Sequence, residues 1–219
     1  MKAITKRPEP NSLVNYRLQA GASYDGLPQD VKSEVRHGLL EEQGHICAYC
    51  MQRISAGDVK IEHWHSQARH PHEQLYYKNM LACCRGNEGQ PPRDQHCGTR
   101  QADDDILYNP AETNHHNRLK IRYHGDGTIH SDDVVFNDQI NQILNLNYSR
   151  LVRNRKNVVD AIRLRMNSTP GTRTVRHIQN LLATWRNPNS SGKLPEYCDV
   201  AVYCLEKKLQ KDTRNHRSK

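Results

Sequence analysis

Val31, Val35, Leu39 and Leu40 recur at three- and four-residue intervals, which predicts an amphipathic helix that opens at Pro28 and stops at Gly44. Before it, residues 1–27 mix polar side chains with two prolines and read as an extended arm. After a turn at Gly57-Asp58, Val59-Lys60-Ile61 alternates as a short strand ending at Glu62-His63. Residues 64–74 are polar and rich in histidine, so they form a loop. Leu75 to Cys84 predicts a short helix, and residues 85–97, with two glycines and two prolines, another loop. Leu119–Tyr123 and Thr128-Ile129 flank His124-Gly-Asp-Gly127 as a β-hairpin.

From about Phe136 the period becomes helical. Leu151, Val158, Val159, Ile162 and Met166 share one face, with Arg150, Arg153, Arg155, Arg163 and Arg165 largely elsewhere. Pro170-Gly171 breaks this helix. Val175, Ile178, Leu181, Leu182 and Trp185 make a second amphipathic helix, and Tyr197 to Leu209 a last one, with a fraying end. Residues 187–195 are a loop of Asn, Pro, Ser and Gly. The apolar stripes are ordinary core, and there is no internal repeat or low-complexity tract.

Composition narrows the function classes. The 219 residues suffice for one domain, or one with a helical extension. Apolar runs are only a few residues long and mean hydropathy is −0.93, which excludes a membrane-spanning helix. The opening Met1-Lys-Ala-Ile-Thr-Lys-Arg-Pro has no apolar core of a signal peptide, so the chain is expected in the cytoplasm. There the seven cysteines point to metal binding or catalysis instead of disulfides. Charge is uneven: residues 150–219 hold 16 basic against 5 acidic residues, a surplus of +11, whereas residues 1–149 carry −3. A basic face suits a nucleic-acid partner; the plainer reading is a solvated helix surface.

Cys47-Ala-Tyr-Cys50 has the spacing of a zinc knuckle, since both thiolates of a tight turn reach one tetrahedral ion. It also suits a redox dithiol, but the βαβ context that chemistry uses is missing. Two further ligands come from Cys83, Cys84 and Cys97, with His96 as a substitute; Cys198 and Cys204 fall in a helical pattern and read as core. Between the two ligand pairs stand Glu62, a hard oxygen ligand for a divalent cation, and His63, which can take a proton from water. Asn79 can hold that imidazole by its other nitrogen. Each alone is more often a satisfied polar residue; the ordered set inside a zinc clamp points to chemistry.

The order CxxC, Glu-His, Asn, Cys resembles the HNH nuclease family, the ββα-metal fold. The wider chain is similar to the PtuB-like branch, the HNH component of Septu and some retron anti-phage systems. The matching segments are Ile4–Pro10, Cys47–Cys50, Ile61–His63, Asn79–Cys84, His96-Cys97-Gly98, Tyr123–Ile129, Leu144–Asn147 and Leu194–Tyr197. The resemblance implies an α+β fold with a zinc-clamped ββα core, surrounded by helices, and a mostly helical C-terminal part. The chain then divides into the arm 1–27, a nuclease core 28–110, and a hairpin with basic helices over 111–219.

The resemblance also implies the roles. His63 is the general base, Asn79 orients it, and Glu62 helps hold a catalytic Mg2+ or Mn2+. Cys47, Cys50, Cys84 and Cys97 hold a structural Zn2+, Cys84 being chosen over Cys83 by the family's Asn-x4-Cys spacing. Where the family carries a third catalytic-metal ligand after the last cysteine, this chain has Gly98, and the substitutes are His96, taken first, and His65. The family's following basic residue is replaced by Gln101, beside Arg100. Expected partners are DNA and a co-encoded, PtuA-like ABC-type ATPase, because the chain has no nucleotide-binding glycine loop; Arg150, Arg153 and Arg163 would meet phosphates or that partner. No membrane partner is expected. The rival is a zinc-knuckle module that binds nucleic acid without cutting it, in which an acid facing phosphate has no purpose.

Overall fold

In the computed structural model, residues 1–167 and 174–217 are described. The chain is α+β. Helix α1 (Asn11–Arg17) leads to α2 (Gln29–Glu42), then strands β1 (Val59–His63) and β2 (Met80–Cys84) and a short α3 (Cys97–Gln101). There follow α4 (Thr113–His116), the hairpin β3 (Ile121–Tyr123) and β4 (Ile129–Ser131), α5 (Val134–Asp138) running into a π-turn at Gln139–Ile143, and α6 (Ser149–Asn167), α7 (Val175–Arg186) and α8 (Cys198–Arg217). Among the described residues no helix is long and apolar enough to cross a membrane.

Helix α2 forms where its pattern predicts, and Val31, Val35, Leu39 and Leu40 are its buried face. It ends as predicted: Gly44 takes a left-handed φ of +59°, and the His45 amide reaches back to the Leu40 carbonyl at 2.8 Å. A Cβ at Gly44 would stand 2.6 Å from Leu194 Cγ, so the turn is also a docking point for the segment before α8.

Two expectations are corrected. Leu75 to Cys84 is not a helix: a single turn at Tyr77–Asn79 leads into β2, which pairs antiparallel with β1, His63 opposite Met80 and Val59 opposite Cys84. All five β2 residues are buried, so the strand shows no alternation and its short apolar run reads equally as helix. Nor is the N-terminal segment an extended arm. It contains α1, and Met1, Ile4 and Leu13 are buried in the main core. Lys6 fastens it, with its ammonium on the Glu42 carboxylate at 2.8 Å and the Met80 carbonyl at 2.5 Å.

The hairpin stands where predicted and docks on α6. Gly127 (φ +90°) lies so close that a Cβ would sit 2.1 Å from the Val152 carbonyl oxygen. The predicted α6 face, Leu151, Val159, Ile162 and Met166, is buried, with Val158 half-buried. Arg155, expected off that face, is 1% exposed: its Nε donates to the Gly127 carbonyl at 2.6 Å and Nη2 to Asn147 Oδ1 at 3.2 Å. Ile178, Leu181 and Leu182 of α7 close a second apolar cluster against α6 and α8. The predicted break at Pro170-Gly171 lies outside the described residues.

Candidate metal centre and active site

The four cysteine sulfurs selected from the sequence converge. Cys47, Cys50, Cys84 and Cys97 are all buried, and their sulfurs lie within 4.8 Å of one another. The knuckle is a tight turn in which the Cys47 amide donates to the Gln52 carbonyl (2.9 Å) and the Met51 amide to the Cys47 carbonyl (3.0 Å). Cys84 ends β2 and Cys97 opens α3. The long loop between them is closed at its neck. The His96 amide donates to the Gly86 carbonyl at 3.0 Å, and a Cβ at Gly86 (φ +54°) would fall 2.0 Å from the His96 carbonyl oxygen. The glycine lets a 12-residue separation act as a short one. Cys83, one position earlier in the strand, lies outside the group of four.

The donor set fits zinc. A tetrahedron of roughly 2.3 Å Zn–S bonds has edges of about 3.8 Å, and Cys50 Sγ stands 3.8 Å from Cys84 Sγ. Burial pushes the Cys97 thiol well up, and the hydrogen bond with Cys47 does the same for Cys50. A dication among the sulfurs reverses that preference. All four positions of such a site are protein sulfur, the arrangement of structural zinc.

His96 belongs to this centre. It is fully buried; Nδ1 lies 3.2 Å from Cys97 Sγ, Nε2 lies 3.4 Å from Arg150 Nη2, and the ring stacks on Tyr148. Because the guanidinium can only donate to Nε2, the ring proton is on Nδ1 and points at sulfur. Both nitrogens are thereby engaged, and none remains for the second cation assigned to His96 from the sequence. Arg150 is exposed like Arg153 and Arg163, but its guanidinium is engaged with the chain, donating to Asn87 Oδ1 at 2.8 Å. Arg100 is also engaged with the chain, at the Pro92 carbonyl (2.8 Å).

Glu62 and His63 stand at the end of β1, beside this centre. Glu62 is half-buried and its carboxylate makes no hydrogen bond or ion pair among the described residues; burial pushes it up to about 7, opposed by Lys60 and aided by Cys47. Its Oε2 occupies the space a side chain at residue 98 would fill, since a Cβ on Gly98 would lie 1.9 Å away. His63 is 5% exposed, with Tyr24 edge-on at 4.6 Å between ring centroids. Its Nε2 is 2.9 Å from the Gln74 carbonyl, which accepts only, so Nε2 carries the proton and Nδ1 the lone pair. Burial holds this imidazole below the usual histidine range, against the Gln74 hydrogen bond.

Asn79 does not hold the imidazole. Its Oδ1 accepts from the His65 amide (2.8 Å), and its Nδ2 donates to the His65 carbonyl (3.0 Å) and more weakly to that of Glu73 (3.4 Å). An amide side chain offers a donor and an acceptor side by side, so it pairs with a peptide as a strand would. Gln101, fully buried, donates to the Trp64 and Asp104 carbonyls at 3.2 and 3.1 Å. His63, Asn79 and Gln101 therefore all grip the backbone of the 64–74 loop or its neighbours. Sequence reading missed Arg155 and the company that His65 keeps in that loop, with His70 and Glu73. The signal available was the density of histidines over residues 63–72.

Neither the protein-family models nor the curated proteins contain a match to this chain.

Proposed function

We propose that this chain is a metal-dependent DNA endonuclease of the HNH type, the nuclease effector of an anti-phage complex with an ABC-type ATPase. The observation that carries the reading is the end of β1. An acid without a side-chain partner, turned toward Gly98, and the next residue, a histidine with its lone pair set on Nδ1, end the first of two strands followed by a helix, beside four cysteines. A carboxylate left unpartnered in a half-buried position is costly unless a cation completes it. Gly98, with no side chain, leaves the room that this carboxylate occupies.

Glu62 would hold Mg2+ or Mn2+, which supplies charge stabilisation to the phosphate and leaving oxygen in the transition state. His63 Nδ1 takes the proton of the attacking water as its oxygen bonds phosphorus. The P–O3′ bond then breaks, the 3′ oxygen leaves and is protonated from solvent, and a 5′ phosphate remains. The Gln74 carbonyl keeps the imidazole in the tautomer this needs and stabilises its protonated form. Asn79 positions the loop that carries that carbonyl and does not touch the base.

A supercoiled-plasmid assay with Mg2+ or Mn2+, with and without the co-encoded ATPase, tests the reading. Relaxation or linearisation that depends on added metal is expected. DNA binding with no cleavage in any arm leaves the zinc-knuckle binder instead.

Arg153 and Arg163 are two of the exposed cations of α6, and on them we place phosphate contacts. Arg163 also lines, with Lys207 and Lys211 of α8, a cavity of about 430 Å³. Reversing both arginines to glutamate is expected to weaken DNA binding at every sequence. It should also flatten the slope of log affinity against log salt by about 2, one for each phosphate that is no longer neutralised. An unchanged slope, with ATPase docking also unchanged, makes the +11 surplus solvated surface.

A further inference from the structure

Beyond the cysteine centre and the β1 end, the structure brings His65, His70 and Glu73 together, with one ligand atom of each within 4.8 Å of the others. We propose that these three residues form a second, independent site for a first-row transition-metal dication, open to a water or phosphate oxygen. The proposal stands apart from the nuclease reading and needs neither Glu62 nor His63 as a ligand.

The site is built by the loop and held from outside it. His70 returns over His65 because its amide donates to the Ser66 carbonyl (2.8 Å), and Glu73 follows because its amide donates to the His70 carbonyl (3.0 Å). Pro71 opens the single turn that carries Glu73. Asn79 clamps both sides of the His65 peptide, and His63 holds the Gln74 carbonyl. A loop fixed at both ends loses little entropy when it binds.

The side chains stand close together, and binding would turn the two imidazoles out of their stack so that both in-plane lone pairs meet the ion. His65 Nδ1 lies 2.8 Å from Glu73 Oε2, and the His65 and His70 rings are stacked with centroids 4.3 Å apart at 20°. Trp64 covers the other face of His65 at 3.9 Å, fixing its plane. Behind His70 stands Asp105, its Oδ2 3.3 Å from Nε2, which leaves Nδ1 as the ligating nitrogen; ligating imidazoles are commonly backed by a carboxylate in this way. The other oxygen of Asp105, Oδ1, is buried with no hydrogen-bond partner among the described residues. The single charge of this carboxylate faces Arg69 Nη1 at 3.8 Å on one side, and a dication held by His70 adds to its compensation on the other. All three ligands are about a quarter exposed, so an ion has an entry path and free positions. Two imidazoles and one carboxylate suit Zn2+, Co2+, Ni2+ or Fe2+ better than Mg2+, which prefers an all-oxygen shell.

The full chain, loaded with one equivalent of zinc, is titrated with Co2+ and read by visible absorption and by metal content. One further tightly bound cobalt per chain is expected, ahead of any weaker binding at the single Glu62 carboxylate, with the absorption of nitrogen and oxygen ligation and no thiolate-to-cobalt band. His70→Ala and Glu73→Gln should each weaken that equivalent by more than the roughly 10–100-fold that loss of an outer partner costs, with zinc retained at the cysteines. Glu62→Gln should leave it in place. A titration with no second equivalent, or one unchanged by both loop variants, overturns the site. So does loss of the second equivalent in Glu62→Gln alone, which assigns the ion to the end of β1. Should His70→Ala also shed its zinc, Glu73→Gln, which keeps a hydrogen bond to His65, decides.

Discussion

His63→Ala is expected to lower the rate of DNA cleavage about 10²–10⁴-fold, the range for loss of a general base, while zinc content and DNA affinity hold. The variant also strips the half-buried Gln74 carbonyl of its donor, and loss of a typical hydrogen bond costs about 0.5–1.5 kcal/mol. Rates are therefore compared per DNA bound, well below the melting transition of both proteins. Asn79→Ala is expected to behave differently. It removes the hydrogen bonds to the His65 peptide and to Glu73, so it should loosen the loop and lower stability together with rate. Glu62→Ala removes the proposed cation ligand, and excess Mn2+ should restore part of its activity. A His63→Ala protein that cuts at the wild-type rate would make the strand-end histidine a structural pin for Gln74 and nothing more.

These three residues show what could and could not be read from the chain. Their identity and order were legible, because a ligand pair, an acid beside a histidine and an asparagine stand in sequence. Their bonding was not. Whether Asn79 faces an imidazole or a peptide depends on how the 64–74 loop folds back, and that is set by contacts such as the Ser66 carbonyl to the His70 amide. The same limit explains β2. Its five residues are buried on both faces, so the pattern held no periodicity to separate strand from helix. Helices α2, α6 and α7 were legible because each turns one apolar stripe inward and leaves a polar remainder. Arg155 was misplaced because charge predicts exposure only on average. Here the hairpin turn at Gly127 covers the guanidinium and supplies a carbonyl in place of water.

Cys84→Ser is expected to cost the chain its zinc and its cooperative melting transition, whereas Cys83→Ser should keep both. The two cysteines are neighbours in β2 and both buried, so burial alone does not separate them. Convergence does: the sulfur of Cys84 is 3.8 Å from Cys50 and within 4.8 Å of all three other sulfurs, whereas Cys83 approaches Cys47 and is not in that group. The clamp ties together the turn after α2, the end of β2 and the start of α3. Binding free energies for structural zinc of roughly 10–16 kcal/mol in small zinc-finger peptides match or exceed the whole stability of a typical domain, about 5–15 kcal/mol. Loss of one sulfur ligand should therefore register as insolubility or a lost transition, and a strong chelator should reproduce it in the wild-type chain. Metal analysis and melting of the two serine variants decide between the sulfurs. Zinc retained in Cys84→Ser and lost in Cys83→Ser would move the clamp by one residue and turn β2 over. A wild-type chain that holds no zinc, with melting unchanged in Cys47→Ser, would remove the clamp and with it the reason for placing Glu62 and His63 in an active site.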